Sequence, residues 1–521
     1  MASFSEDDQV ILNYFFTNFD KPIFLVRNMH PEVWALMQAR YSRAKEGLRE
    51  SFLMLLKEDP ANYDLLLNAL KNKDSEEAMK HAIGKAIAFM DKWVLGYGHS
   101  SVAEGAVVGI GLEGVSILST KTIEDNRLCS YIEKSTRYVS FIRDSFYIDS
   151  QLENSKWGAE VKQYLDDLFK LYTDLHEPVL AYVKTQVPLA PGQSEPAWVR
   201  SCAARRFDAI RYILPACTKT SLGWTLNARN LAHALNKLSA SPIKEFQDMA
   251  ILLREEGKKQ LPSLLKYSEA SPYYENTDKE FYEYTKDYAL PTQHESGVTL
   301  INADENIDEM LTTAILYHYS LLPFEELRVK VKQMTLEERF AVIDKYVEKM
   351  GQFDHPMREF EHVDFAFDVL MDYGSFRDLQ RHRLFTQTNQ LLTTYYGYDT
   401  PDDIIGAGKK AEFDALMQRA DKLFREISKE MPLQAQYLIP LAYRKRTIFK
   451  GNLRQFFHFI RQRSESSVHA SARKIIQQMY EVLQVKSPVA ARYLKCTLDD
   501  SNLGRLKSEE RLEEKIKKGM I

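Results

Sequence analysis

Only four cysteines occur in 521 residues, Cys129, Cys202, Cys217 and Cys496, and no CxxC pair or zinc-ligand spacing connects them. That excludes a disulfide-stapled secreted scaffold and fits a reducing compartment, so a cytoplasmic location is expected. Glycine (21) and proline (18) are sparse, too sparse for a collagen-like or low-complexity chain. No apolar run approaches the ~20 residues of a membrane-spanning helix. The acidic start, Met1-Ala2-Ser3-Phe4-Ser5-Glu6-Asp7-Asp8, lacks the basic and apolar regions of a signal peptide. Net charge is only −4, from 69 Lys+Arg against 73 Asp+Glu. The whole-chain field is therefore not that of a nucleic-acid or membrane-surface binder, and an anionic ligand would have to be met by a local arginine cluster.

Aromatic rings are abundant, with 28 Tyr and 27 Phe; core packing is their default use, flat ligand sandwiches the alternative. The length accommodates two to four domains at ~100–200 residues each. Near the middle, a stretch rich in Tyr, Glu, Asp, Ser and Pro without apolar period reads as a linker, 268–296, between a first half, 1–267, and a second, 297–521.

The same plan occurs in both halves. Glu104 opens an extended segment, 106–117, and Glu361 opens a segment, 363–369, whose large apolar residues fall on odd numbers, the period of a half-buried strand. Each strand precedes an arginine-bearing segment, Asp125-Asn126-Arg127 or Arg381-His382-Arg383. Further on, Ile213-Leu214-Pro215 precedes Asn227, Arg229 and His233, and Leu438-Ile439-Pro440 precedes Asn452, Arg454 and His458 at the same offsets from proline. A shared set of offsets argues for a tandem duplication. Arg and His at i, i+4 share a helix face, and each Asn is placed to cap its helix. Helical periodicity also marks 161–175, 411–431 and a charged terminal helix at 507–518.

Two motifs point elsewhere. Gly109-Ile110-Gly111-Leu112-Glu113-Gly114 spells a dinucleotide fingerprint, but the following residues, 115–120, read as continued strand, so a glycine-relieved strand is the better reading. His355, His362 and His382 lack a helical ligand pair and neighbour Arg358, Arg381 and Arg383, which would repel a cation; no metal is expected.

An isolated Arg-His-Arg turn is ordinarily a solvated basic turn. Here Asn452, Arg454, His458, Arg461 and Arg463 accompany it, and guanidinium forks suit phosphate oxygens. In the first half Glu133-Lys134-Ser135-Thr136-Arg137-Tyr138 supplies an acceptor, hydroxyls, a guanidinium and a ring within six residues.

At these residues the chain resembles the flavin-dependent thymidylate synthases. Their signature runs from H-x-T/S-x-x-E through a strand to R-H-R, then x-x-S-x-N-E-x-S-x-R-Y, and later to an L-P…N-x-R helix; the likeness covers about 30–240 and 297–485. The resemblance implies an α+β fold of two tandem family-like domains, each a twisted, mainly antiparallel sheet flanked by helices. It also implies reductive methylation of dUMP to dTMP, with FAD as cofactor and NADPH and methylenetetrahydrofolate as co-substrates.

The two halves depart from the signature in complementary ways. The first keeps Ser130, Glu133, Ser135, Arg137, Tyr138 and Arg211, but has Asp125-Asn126-Arg127 for R-H-R and Leu238 for the uracil-polarising arginine. The second keeps Arg381-His382-Arg383 and Arg463, but has Asn389, Leu391 and Thr393 in the loop and Gln436 at the position of Arg211. The expectation is one intact site type built from both halves and a dead reciprocal one, with a homodimer imitating the family's tetramer. In it Arg463 is the catalytic cation. FAD contacts are assigned to Arg381, His382, Arg383, Asn452, Arg454, His458, Glu133, Ser101 and Ser42, and nucleotide contacts to Glu133, Ser135, Thr136, Arg137, Arg211, Arg381 and Arg463. Asn227 and Arg229 would be relics. Open alternatives are flavin-dependent modification of another nucleotide and a non-catalytic nucleotide-binding relative.

Overall fold

The computed structural model describes residues 4–41, 44–74, 77, 100–137, 139–142, 145–266, 268–292, 295–498 and 503–519. Ser42, Gly98, His99 and Tyr138 lie outside them. The fold is α+β, with a three-stranded sheet ordered β1-β3-β2 and a four-stranded sheet ordered β4-β5-β7-β6. The strands are β1 Val107–Ser116, β2 Cys129–Glu133, β3 Lys219–Asn227, β4 Gly297–Ala303, β5 Asp364–Asp372, β6 Thr386–Asn389 and β7 Arg444–Asn452.

Residue contacts group the chain into two compact units: 1–113 with 128–133 and 221–288, and 114–127 with 134–220 and 289–521. The second unit thus combines part of the first sequence copy with the whole of the second. In the first unit β2 and β3 pair antiparallel from Cys129↔Leu226 to Glu133↔Leu222. Its N-terminal helices bury Phe15, Phe16 and Phe52, with Phe15 and Phe52 packed edge-on at 5.1 Å. The segment read as a linker contains a helix, Pro272–Thr285, none of whose residues is buried, which explains its missing apolar period.

In the second unit β5 pairs antiparallel with β7 from Asp364↔Asn452 to Asp372↔Arg444, and with β4 on its other edge. The odd-numbered Val363, Phe365, Phe367 and Val369 are completely buried. Helix Leu453–Arg463 lies on them, with Phe456 at 5.9 Å from Phe365 and 5.4 Å from Phe367, so many of the chain's rings are core. Asn452 caps this helix by accepting from Gln455 N (2.9 Å), while Gln455 Oε1 accepts from Asn452 N (2.8 Å). Asn227 caps Ala228–Ala240 in the first copy by accepting from Asn230 N at 3.0 Å. The helical periodicities appear as Gly158–Asp174, Lys410–Ile427 and Leu506–Lys517.

One expectation is corrected. Extended structure does not continue through 115–120: β1 ends at Ser116 and helix Ile117–Ile123 follows. Ser116 Oγ accepts from Ser119 N (3.0 Å) and Ile117, Leu118 and Ile123 are buried; a local cap and tertiary burial override the β propensity of these side chains. Gly109 and Gly111 lie inside β1 with open space where a Cβ would be, and only Gly114 needs glycine, at φ +70°. The second copy repeats this strand-to-helix join, where Asp372 accepts from Ser375 N (2.6 Å) at the start of helix Tyr373–Leu379.

The two copies meet inside the second unit along their Leu-Pro segments. Ala216 N donates to Ile439 O (2.9 Å) and Leu441 N to Leu214 O (2.9 Å), while Cys217 N donates to Tyr437 O (2.9 Å) and Ala442 N to Tyr212 O (3.0 Å). Equivalent residues exchange equivalent bonds, so the contact has a local pseudo-twofold axis.

Candidate active site

Helix Tyr373–Leu379 is buried along almost its whole length and delivers Arg377 and Asp378, followed by Gln380 and the Arg381-His382-Arg383 turn. Arg211, at the 3-10 turn before Leu214-Pro215, is 2% exposed; its Nη2 lies 3.3 Å from Asp378 Oδ2, and its buried Nε has no hydrogen-bond partner. Burial would raise the Asp378 carboxyl, but Arg211, Arg137, Arg381 and His469 outweigh it and hold the group far below the usual range. Asp378 thus sits among arginines contributed by both copies.

Arg463, at the end of helix Leu453–Arg463, donates from Nε to His382 Nε2 at 2.8 Å. His382 must therefore accept as a neutral ring, and burial together with Arg463 and His458 depresses its protonation well below the ordinary value. Burial also lowers Arg463, assisted by Arg381 and Arg137 and opposed by Asp378; a guanidinium so placed remains a cation.

The first copy's loop lies in the same unit from Lys134 onward. Ser135 Oγ accepts from Arg137 N (3.1 Å), and Thr136 Oγ1, almost fully buried, accepts from Arg377 Nη1 (3.3 Å). Arg137 forks onto Asp208, Nε to Oδ1 at 2.6 Å and Nη2 to Oδ2 at 2.8 Å, a charge-assisted bidentate pair. Beside it runs a cleft of about 550 Å³ lined by Arg137, Asp208, Tyr212, His469, Arg473 and Arg505, among others. His469 stacks on Tyr212 with centroids 5.5 Å apart; burial, then Arg211, pushes its protonation down to about 3. Asp372, also lining the cleft, is pushed up to about 6 by burial and Asp399.

The structure thus gathers Ser135, Thr136, Arg137, Arg211, Arg381, His382 and Arg463 in one unit of one chain. Arg383 lies there as well, donating from Nε to Arg127 O (3.0 Å). Asn452 caps its helix, and Arg454 donates to Pro356 O (2.7 Å) and Glu361 Oε1 (3.0 Å). His458 lies 5.0 Å from the His355 ring and 5.6 Å from that of His382. Glu133, at the end of β2, and Ser101, exposed in the turn Ser100–Glu104, belong to the first unit, as do Asn227 and Arg229. There Arg229 pairs with Glu104, the counterpart of Arg454 with Glu361.

At the pseudo-symmetric position the second copy's loop is closed on itself. Gln436 Oε1, in the place of Arg211, accepts from Leu392 N (3.0 Å). Lys445 donates to Gln390 O (2.6 Å), and Lys121, in the place of Arg377, pairs with Glu124. These interior bonds take the groups a ligand would need.

A family model described as thymidylate synthase complementing protein matches residues 25–263 and 299–489. The chain belongs to this family. The double match is the tandem duplication seen in the repeat. A UPF0159 protein of Chlamydia muridarum is 31% identical across 98% of both chains, and one of Thermoplasma acidophilum is 29% identical across 81% of this chain and 91% of its own. A flavin-dependent thymidylate synthase of Geobacter sulfurreducens is 30% identical over 28% of this chain and 53% of its own length. Among solved structures, a UMP/dUMP methylase, PolB of Streptomyces cacaoi bound with 5-Br dUMP, aligns with 39% of this chain and 95% of its own, at 16% identity and a TM-score of 0.30.

Flavin-dependent members of the family imply FAD, and the second copy's residues fit such a ligand chemically. The buried Nδ1 of His458 has no hydrogen-bond partner, and Arg383, Arg454 and Arg461 stand on the same turn and helix with guanidinium groups suited to a pyrophosphate. Among the described residues no group of His, Cys, Asp or Glu could hold a metal ion, and no helix is long and apolar enough to cross a membrane.

Sequence reasoning passed over Asp208, Asp378, His469 and Arg505. One signal was present for the carboxylates: Asp208 precedes Arg211, and Asp378 precedes Arg381, by the same three residues. The repeated spacing marks the two carboxylates, but in the fold the partners are exchanged: Arg211 faces Asp378 and Arg137 faces Asp208.

Proposed function

We propose that the protein is a flavin-dependent nucleotide methylase that converts dUMP to dTMP with methylenetetrahydrofolate and NADPH, at a site to which each copy contributes different residues of a single chain. One observation carries the reading: Arg137 and Arg211, kept only by the first copy, and Arg381, His382 and Arg463, kept only by the second, converge around Asp378. FAD, when bound, supplies hydride transfer between NADPH and the one-carbon unit. Arg381, Arg383, Arg454 and His458 would hold it, with Asn452 fixing the start of their helix.

The remaining roles follow from charge and position. Arg463 is held by a neutral acceptor rather than a carboxylate, so its positive charge is available where negative charge develops on a uracil ring deprotonated at N3. Ser135, Thr136, Arg137 and Arg211 form the anion-binding end, and the burial of Thr136 and Arg211 strengthens their contacts. A homodimer of the chain would bring four related copies together and carry two such sites.

A second reading is favoured by Asp208 and Asp378. Both arginines assigned to the phosphate already face a carboxylate, which suits a different nucleotide or one with another charge on its tail. Incubation of purified protein with FAD, NADPH, methylenetetrahydrofolate and dUMP separates the readings: dTMP formation is expected. Methylation of another nucleotide in place of dUMP supports the second, and absence of a bound-flavin spectrum after FAD addition points to a non-catalytic relative.

A further inference from the structure

The family model's match ends at residue 489, yet a more C-terminal segment reaches the anion-binding end. Residues 503–505 line the cleft, and Arg505, 11% exposed, places Nη2 at 3.4 Å from Asp208 Oδ2, the carboxylate that also holds Arg137. The segment is fixed from two sides. Gly504 passes so close to the Ser466 carbonyl that a Cβ would overlap it, and Ser466 Oγ donates to Gly504 O at 3.4 Å. Helix Leu506–Lys517, which buries no residue, is latched to helix Glu195–Ile210 by Arg200, 2.7 Å from Glu509 and 2.6 Å from Glu513, and by the Ser194–Glu513 hydrogen bond. The helix buries no side chain, and these charged contacts help hold it as an arm against helix Glu195–Ile210.

We propose that this C-terminal arm is part of the substrate site and that Arg505 is a positioning residue that sets specificity for phosphorylated ligands, acting through Asp208. Asp208 aims Arg137 but brings a negative charge to the place where a phosphate would bind. Arg505 on the same carboxylate offsets that charge, leaving the pair of arginines with a net positive field. Without the arm, the phosphate meets a carboxylate compensated by Arg137 alone. The inference rests on the assignment of Arg137 to the anionic end of the ligand.

The test measures binding of dUMP, deoxyuridine and inorganic phosphate by calorimetry to wild type, Arg505→Ala, Arg505→Lys, Gly504→Ala and the latch reversal Glu509→Lys/Glu513→Lys, with circular dichroism as the folding check. Arg505→Ala is expected to weaken dUMP binding about tenfold, the loss of one charge-assisted interaction, with deoxyuridine affinity unchanged and Arg505→Lys recovering most of the loss. Gly504→Ala and the latch reversal should weaken dUMP in the same way with Arg505 intact, and adding Arg200→Glu to the reversal should restore it. In an Asp208→Asn background Arg505→Ala should have little further effect. Unchanged dUMP affinity in folded Arg505→Ala, or an equal loss for deoxyuridine, overturns the proposal, as does a wild type that binds neither dUMP nor phosphate. If the dUMP effect appears and no dTMP forms, the arm stands and the proposed reaction fails; if dTMP forms and Arg505→Ala leaves its KM for dUMP unchanged, the reverse holds.

Discussion

Replacing Arg211 by Gln would give the first copy the residue that the second copy has at this position, Gln436. The structure sets the energy scale. Arg211 and Asp378 are 2% and 13% exposed and 3.3 Å apart, so their attraction at an effective dielectric near 20 is about 5 kcal/mol. Arg211→Gln alone leaves Asp378 buried with less compensation, and Asp378→Thr alone, copying Thr122 of the first copy, leaves the guanidinium buried among other arginines. Each single change should cost about 3–5 kcal/mol. The double variant removes both charges together and should cost clearly less than their sum, with a coupling of about 2–3 kcal/mol. Urea unfolding followed by circular dichroism of the wild type, both single variants and the double variant measures this cycle. Additive single effects, with coupling below about 0.5 kcal/mol, would refute the description of Arg211 and Asp378 as one buried unit.

Asp372 has its folded-state pKa raised to about 6 from 3.8, so its neutral form stabilises the fold below pH 4 and that contribution, up to about 3 kcal/mol, is lost as pH rises through 6. Asp372→Asn should therefore raise stability at pH 7, less about 1 kcal/mol for the Ser375 Oγ hydrogen bond, and give no gain at pH 4; a gain of equal size at both pH values would contradict this. His469 shifts the other way: its folded pKa of about 3 lies below 6.5, so it stabilises fully above pH 6.5 and that contribution is lost progressively as pH falls toward 3. His469→Phe, which keeps a ring beside Tyr212, should flatten the acid side of the stability profile, and an unchanged slope would count against burial of a neutral imidazole. Asn452→Ala should lower stability by about 1–2 kcal/mol in thermal denaturation, because it breaks a reciprocal capping box; a loss confined to a few tenths would show that the cap is not needed to hold the helix.

The duplication was legible because it is written in fixed offsets, and the strand 363–369 because its side chains alternate between a buried and a partly covered face. Asn227 and Asn452 were legible as caps because a cap is local chemistry. The helix at Ile117–Ile123 was not, since its β-branched and polar residues favour strand and only the Ser116 cap and burial against the rest of the fold decide otherwise. The helix at Pro272–Thr285 escaped notice because it buries nothing and so leaves no apolar period. The arginines of the candidate site stood out through motif spacing. Asp208 and Asp378 did not, because what makes them matter is their distance from guanidinium groups far away in sequence. Arg505 precedes a segment that reads as a solvated helix, and that reading describes Leu506–Lys517 well; nothing in its sequence states that the residues just before it, 503–505, line the cleft.

The central claim is that residues from the two copies act together within one chain. Tritium release from 5-tritiated dUMP, measured for Arg137→Ala, Arg463→Ala and Arg229→Ala, and for an unfolded and co-refolded mixture of the first two, tests it most directly. The account predicts that Arg137→Ala and Arg463→Ala each abolish release, that Arg229→Ala does not, and that the mixture stays inactive because no chain carries both arginines. Recovery of release in the mixture would show that the arginines come from different chains, and contradict it.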